Sequence, residues 1–219
     1  MTIAERLLQN SSLNEFKEKY YRKEPFAAPL TAWEFRDLLS WNLLEEVVSD
    51  HNDCWLPKEG HLPASPSLCT GRLSSHEVRR GFAEGRTILV RHSEKAHPAF
   101  EHIANDFQYN FQGSIDIQLY YTPSGQQGFN WHYDLEEVFV IQSVGSKEFR
   151  LRKNTVSTFP LNIENWREDW YKETSGPEIR CLLEPGDWLY IPSGYWHTAH
   201  AVTNSAHLSV GVLAREVYC

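Results

Sequence analysis

Two imidazoles and one carboxylate stand at spacings that suit a divalent metal. His132 and Asp134 flank Tyr133, and His197 follows 63 residues after Asp134 in the run Gly194-Tyr195-Trp196-His197. A set of two histidines and one carboxylate fills one face of an octahedral ion and leaves three positions open for chemistry. On an extended segment side chains alternate, so His132 and Asp134 are expected on one side and Tyr133 on the other. The third ligand must be returned by the fold. The strand-like run Asp187-Trp188-Leu189-Tyr190-Ile191 and the Pro192-Ser193-Gly194 turn supply that return, with His197 opening the next strand. His-x-Asp alone is usually polar strand surface. The order of apolar strand, turn and histidine after Glu184-Pro185-Gly186-Asp187 is what makes it a metal-site expectation.

These residues need a β-rich frame. From about Ser114 short strands are expected at Ile115 to Tyr121, Phe129 to Asp134, Val138 to Gln142, Lys147 to Arg152, Ile179 to Leu183, Asp187 to Ile191, Trp196 to Val202 and Leu208 to Leu213. Eight such segments suit two four-stranded sheets closed as a jelly roll. The stretch 153–178, with Trp166, Trp170 and Tyr171, is expected as an insert over one end of the barrel, its aromatics serving either specificity or its own anchoring.

Upstream, the pattern turns helical. Capping boxes are expected at Ser12 to Glu15, Thr31 to Glu34 and Ser74 to Glu77. Pro57 to Gly71 reads as a loop, Thr87 to Arg91 as a short strand, and Pro98 to Phe107 as a further helix. The organisation expected is a helix-rich region over residues 1–110 packed on a β core over 111–219.

The sequence has 219 residues, enough for one well-cored domain, and 41% hydrophobic content with eight Trp argues for a folded globule. No stretch has the apolar length of a membrane span, and Met1 to Arg6 lacks the basic-then-apolar pattern of an export signal. No membrane association and a cytoplasmic location are expected, with the nucleus also open in a eukaryote. Cys54, Cys69, Cys181 and Cys219 form no Cys-x-x-Cys pair, so reduced thiols are expected. A net charge of −8 argues against general nucleic-acid binding and suits a basic protein segment better.

The run from Gln127 through His132, Asp134 and the apolar Val138 to Gln142 to Gly145 and Lys147 resembles the JmjC family of Fe(II)- and 2-oxoglutarate-dependent oxygenases. Within it, the hydroxylases of ribosomal proteins are the nearest likeness and, at Lys147, the asparaginyl hydroxylase of hypoxia-inducible factor. Leu183 to His197 is similar to the family's strand, turn and strand leading to its last iron ligand. A looser match lies at Phe16, Tyr20, Tyr21, Lys23 and Pro25. The resemblance implies a double-stranded β-helix, iron at His132, Asp134 and His197, and Lys147 paired with the distal carboxylate of 2-oxoglutarate. It also implies a tyrosine toward that carboxylate at Tyr120. Gln118 shares the strand face of Tyr120, and His207 and Ser209 share one on the last strand, so all three are expected in the pocket wall. Arg150 is the alternative counterion if the Gly145 turn shifts register. Asp187, Glu136 and Glu137 are read as turn and strand-edge residues, and His200 as facing away from the metal.

The sequence runs seven residues past Val212, and a protein lacking the winged-helix region of the ribosomal hydroxylases is the expectation. Phe129 and Trp131 set bulky aromatics beside His132, which suggests a slimmer or stacked substrate. The chemistry implied is oxidative decarboxylation of 2-oxoglutarate with O2, coupled to hydroxylation of a C–H bond. Three readings stay open: a hydroxylase of a protein side chain, a hydroxylase of a free amino acid or other metabolite, and a metal-binding cupin that is not an oxygenase. Oligomeric state is not written in the sequence.

Overall fold

Ten strands and five α-helices make up the described residues of the computed structural model, which are 1–8, 12–50, 53–57, 71–153 and 177–214. The helices are α1 (Ile3–Leu8), α2 (Leu13–Lys19), α3 (Trp41–Asp50), α4 (Ser75–Ala83) and α5 (Pro98–Phe111). None of these helices is long and apolar enough to cross a membrane. The strands are β1 (Phe26–Ala28), β2 (Cys54–Trp55), β3 (Ile88–Val90), β4 (Gly113–Thr122), β5 (Glu137–Val144), β6 (Lys147–Arg152), β7 (Ile179–Leu183), β8 (Trp188–Ile191), β9 (Trp196–Ala201) and β10 (Ser205–Ala214).

Two antiparallel sheets face each other. The larger runs β1-β8-β5-β10-β4-β3-β2 and the smaller β7-β6-β9. The expected four-and-four division is therefore altered in two places. Strands from the first ninety residues extend the larger sheet, with β1 paired to β8 and β3 to β4. The segment Phe129 to Asp134 is not a strand. Its backbone pairs with β9 at the isolated bridge His132–His197, and a second isolated bridge, Gln127–His200, lies just before it. It is also held by side chains: Thr198 Oγ1 and Gln127 Nε2 donate to the Phe129 carbonyl at 2.9 and 3.0 Å, which removes groups a continuous ladder would use.

Period-two alternation divides the larger sheet between two cores. Ile117, Leu119, Phe139, Trp188, Leu208 and Val210 face outward and pack under α1, α2 and α5 with Phe16, Phe100 and Phe107. Val138, Val140, Leu189 and Ile191 face inward against Phe149, Leu151 and Leu183 of the smaller sheet. A strand such as β5, apolar on both faces, is buried along nearly its whole length, as its uninterrupted Val138-Phe139-Val140-Ile141 requires.

The caps divide. Ser74 and Glu77 form the complete reciprocal box, while Ser12 accepts from the Glu15 N–H. Thr31 caps no helix. Trp33–Phe35 is a single 3-10 turn entered from Ala32, because the Thr31 hydroxyl is taken by the Trp188 indole at 2.7 Å and Leu30 and Asp37 hold positive φ on either side. Residues 58–70, the bulk of the proline-rich loop, and 154–176 of the insert, with its three aromatics, lie outside the described residues, as do Cys69 and Cys219. Cys54 and Cys181 are free thiols.

Candidate metal centre and pocket

His132 and His197 are brought together by backbone. Their two N–H groups donate to each other's carbonyls at 3.1 and 2.7 Å, the directly opposite arrangement of an antiparallel pair, which points both side chains to one face. Their rings lie 4.2 Å apart between centroids. The Pro192-Ser193-Gly194 turn is tied to the same place, since Gly194, at φ +80°, donates to the Asp134 carbonyl at 2.9 Å. Tyr133 points away, its ring edge-on to Trp196 at 4.9 Å.

Each imidazole is oriented from behind. His132 Nδ1 is 2.7 Å from the Asn130 carbonyl, and His197 Nδ1 is 3.0 Å from that of Tyr195. A carbonyl is an acceptor only, so Nδ1 carries the proton in both rings and each Nε2 lone pair is left for a ligand. One donor atom each from His132, Asp134 and His197 lies within 4.8 Å of the others, and His197 Nε2 is 3.4 Å from Asp134 Oδ2. Burial pushes the His132 imidazole down to about 4, with His197 adding to the effect. Burial also works against the Asp134 charge, yet the hydrogen bond and charge of His197 outweigh it and hold the carboxyl at about 2. The same pairing overcomes burial at His197 and raises its pKa. Two neutral nitrogen donors and an ionised carboxylate, once His197 gives up its proton, are the donor set that divalent iron accepts.

The triad opens on a cavity of about 650 Å³, counting its mouth, inside the barrel. At its far end Lys147, 2% exposed, donates to Thr122 Oγ1 at 3.0 Å and lies 5.8 Å from the centre of the Tyr120 ring. Burial lowers the lysine to about 7. Arg150 is not placed to replace it. Strand β6 alternates buried and half-buried residues from Lys147 onward, and Arg150 turns outward to pair with Glu148 at 2.7 Å.

Gln118, Tyr120, His207 and Ser209 all line the cavity. The Tyr120 hydroxyl, however, donates to Gln118 Oε1 at 2.7 Å, and Gln118 in turn donates to Asp116 at 2.8 Å. It is the ring of Tyr120, not its hydroxyl, that faces Lys147. Thr122 shares the inward parity of Gln118 and Tyr120; that parity was the signal that could have found it.

Other residues depart from their sequence reading. Glu136 lines the cavity, and burial with the nearby Asp134 and Asp116 charges pushes it up to about 8. Glu137 is buried at the base of the turn, accepting from the Tyr190 hydroxyl and from Ser193 N–H at 3.3 Å. Phe129 lines the cavity edge-on to His132, but Trp131 lies under the Arg152 guanidinium at 4.9 Å and takes no part in the lining. His200 is exposed.

Residues 94–218 match the model of the JmjC domain. The chain belongs to the JmjC-domain family. Among its relatives, the bifunctional lysine-specific demethylase and histidyl-hydroxylase NO66 of Dictyostelium discoideum is 30% identical over 150 residues, covering 68% of this chain and 29% of that protein. Human ribosomal oxygenase 1 is 33% identical over 113 residues, 51% of this chain and 18% of that one. This chain thus spans less than a third of either relative. The ribosomal oxygenase YcfD of Escherichia coli, in a structure with cobalt and 2-oxoglutarate, superposes with a TM-score of 0.58 at 20% identity over 95% of this chain and 53% of that one, a likeness of fold. The JmjC match includes both halves of the triad and Lys147.

Proposed function

We propose that this JmjC domain is an Fe(II)- and 2-oxoglutarate-dependent dioxygenase that hydroxylates an unactivated C–H bond of a protein side chain. The observation that carries the reading is one cavity bounded by a histidine–aspartate–histidine donor set and, at its other end, by a buried ammonium. Iron, 2-oxoglutarate and O2 together supply the oxidising power, with succinate and CO2 released. The chain's own residues bind and orient. His132, Asp134 and His197 hold the metal, Asn130 and Tyr195 carbonyls fix the two rings, and Lys147 with Thr122 takes the distal carboxylate. Val138, Val140, Phe149 and Ile191 line the cavity with apolar surface that excludes water.

A protein target is supported by the net charge of −8, which favours a basic partner segment. The likeness to proteins named ribosomal oxygenases makes ribosomal-protein peptides the first to test. Succinate formation that requires both Fe(II) and 2-oxoglutarate tests the oxygenase reading; its absence returns the protein to the metal-binding cupins. A one-oxygen mass gain on a peptide array supports the protein target, whereas a gain confined to free amino acids or other metabolites makes those the substrate.

A further inference from the structure

His207 is a buried histidine, 3% exposed, that neither the metal triad nor the lysine site uses. Its Nδ1 has no hydrogen-bond partner. The ring is nonetheless held firmly. It stacks parallel on Tyr120 at 4.8 Å and 5°, with the Phe149 ring edge-on at 5.7 Å. The pairing of β10 with β5 shifts register between Ala206 and His207, and His207 shares the cavity-facing side of β10 with Ser209. An imidazole packed this way, lining a cavity with an unanswered nitrogen, is placed for a ligand.

The chemistry of its surroundings narrows the ligand. Lys147 lies beside the same cluster, 5.8 Å from the Tyr120 ring centre, and Thr122 adds a hydroxyl. Burial, and then the Lys147 charge, hold the His207 imidazole well below its ordinary pKa, so it is neutral and offers an N–H without a second positive charge. A neutral donor beside a buried cation is answered by an anion that can accept several hydrogen bonds.

We propose that His207 is a recognition residue for the cosubstrate, donating an imidazole N–H to the same distal carboxylate that pairs with Lys147. The inference rests on the 2-oxoglutarate reading above. It assigns to His207 a part of the selectivity for a five-carbon diacid over keto acids that lack the second carboxylate.

The test compares 2-oxoglutarate with 2-oxopentanoate, which has the keto-acid head and no distal carboxylate, by calorimetry on Co(II)-loaded protein. His207→Phe keeps a flat ring for the Tyr120 stack and removes both nitrogens. It is expected to weaken 2-oxoglutarate by about ten- to a hundredfold, the range of one hydrogen bond to a charged group, and to leave 2-oxopentanoate unchanged. His207→Gln, which restores an N–H, is expected to recover much of the loss. Equal weakening of both ligands, or none for 2-oxoglutarate, overturns the assignment. Should the phenylalanine variant not fold, the wild-type protein decides: with Zn(II) and ¹⁵N-labelled histidine, 2-oxoglutarate must shift the His207 ring nitrogens more than 2-oxopentanoate does, and equal shifts sink the proposal. A wild-type protein that binds neither keto acid removes the cosubstrate reading itself, whereas 2-oxoglutarate binding indifferent to His207 removes this inference alone.

Discussion

His132 and His197, 65 residues apart in sequence, face each other across a single antiparallel bridge whose two hydrogen bonds are entirely backbone. The bridge therefore does not depend on either side chain. His132→Ala is expected to abolish stoichiometric Fe(II) or Co(II) binding while leaving the near-UV circular dichroism and the thermal midpoint of the metal-free protein close to wild type. Metal titration followed by cobalt absorption checks it. Retained one-to-one binding would count against His132 as a ligand.

Protonation gives a second handle on the same centre. The His197 pKa is raised by Asp134 above its ordinary value, while His132 sits at about 4 and Asp134 at about 2. Of the three groups, His197 is the one whose proton competes with a metal up to the highest pH. Cobalt affinity is expected to fall with decreasing pH from the raised His197 pKa downward, with proton release per ion rising toward one over that range. In the metal-free protein the His197–Asp134 pair contributes stability that is fully present below the ordinary histidine pKa and is lost as pH rises through the raised one. Calorimetry in buffers of different ionisation enthalpy measures the proton; release that does not grow as pH falls through the histidine range, or that reaches two there, refutes the scheme.

The strands and the triad were legible in the sequence for a shared reason. Two-residue alternation fixes which side chains a strand turns to one face, and Gln118, Tyr120, Lys147, His207 and Ser209 all line the cavity at the parity it gives. What alternation does not carry is a backbone captured by distant side chains. Phe129 to Asp134 reads as a strand, yet Thr198 and Gln127 take the Phe129 carbonyl, so the two candidate ligands His132 and Asp134 converge from an irregular segment. Thr31 has the spacing of a cap, but Trp188 reaches it from 157 residues away. The same limit applies to Tyr120, whose strand face was readable and whose hydroxyl partner, Gln118, was not. Glu136 and Glu137 look like edge residues because charge at a strand start usually is; only closure of the barrel buries them.

Lys147 carries two pH dependences of opposite sign. Burial lowers it to about 7, well under the ordinary lysine value of roughly 10.4, so between those limits the unfolded chain binds the extra proton and stability of the cosubstrate-free protein gains as pH rises. Affinity for 2-oxoglutarate is expected to go the other way, because the ammonium form is the one that pairs with a carboxylate. Lys147→Met is expected to weaken 2-oxoglutarate by about ten- to a hundredfold and to flatten its pH dependence above 7. It should also raise, or leave unchanged, the thermal midpoint of the cosubstrate-free protein at pH 7, since a desolvated charge is removed. A variant with normal 2-oxoglutarate affinity removes Lys147 from the site.

Trp188 tests whether the N-terminal helices are part of the barrel's stability. It is 1% exposed on β8, and its indole N–H is shared between the Leu7 carbonyl at 3.0 Å and Thr31 Oγ1 at 2.7 Å. Its ring packs on Phe16 and Phe26 from the N-terminal segment and on Phe139 from the neighbouring strand. Trp188→Ala therefore removes a large buried ring where helix, loop and sheet meet, and leaves the Leu7 carbonyl without that donor. A loss of about 3 to 5 kcal/mol in urea unfolding is expected. Trp188→Phe, which keeps ring packing and loses only the N–H, is expected to cost less, about 1 to 3 kcal/mol. If the helices and the barrel form one cooperative unit, both variants keep a single transition with an unchanged slope. A second transition appearing in Trp188→Ala would show that the helical region can detach while the sheet around His197 stays folded.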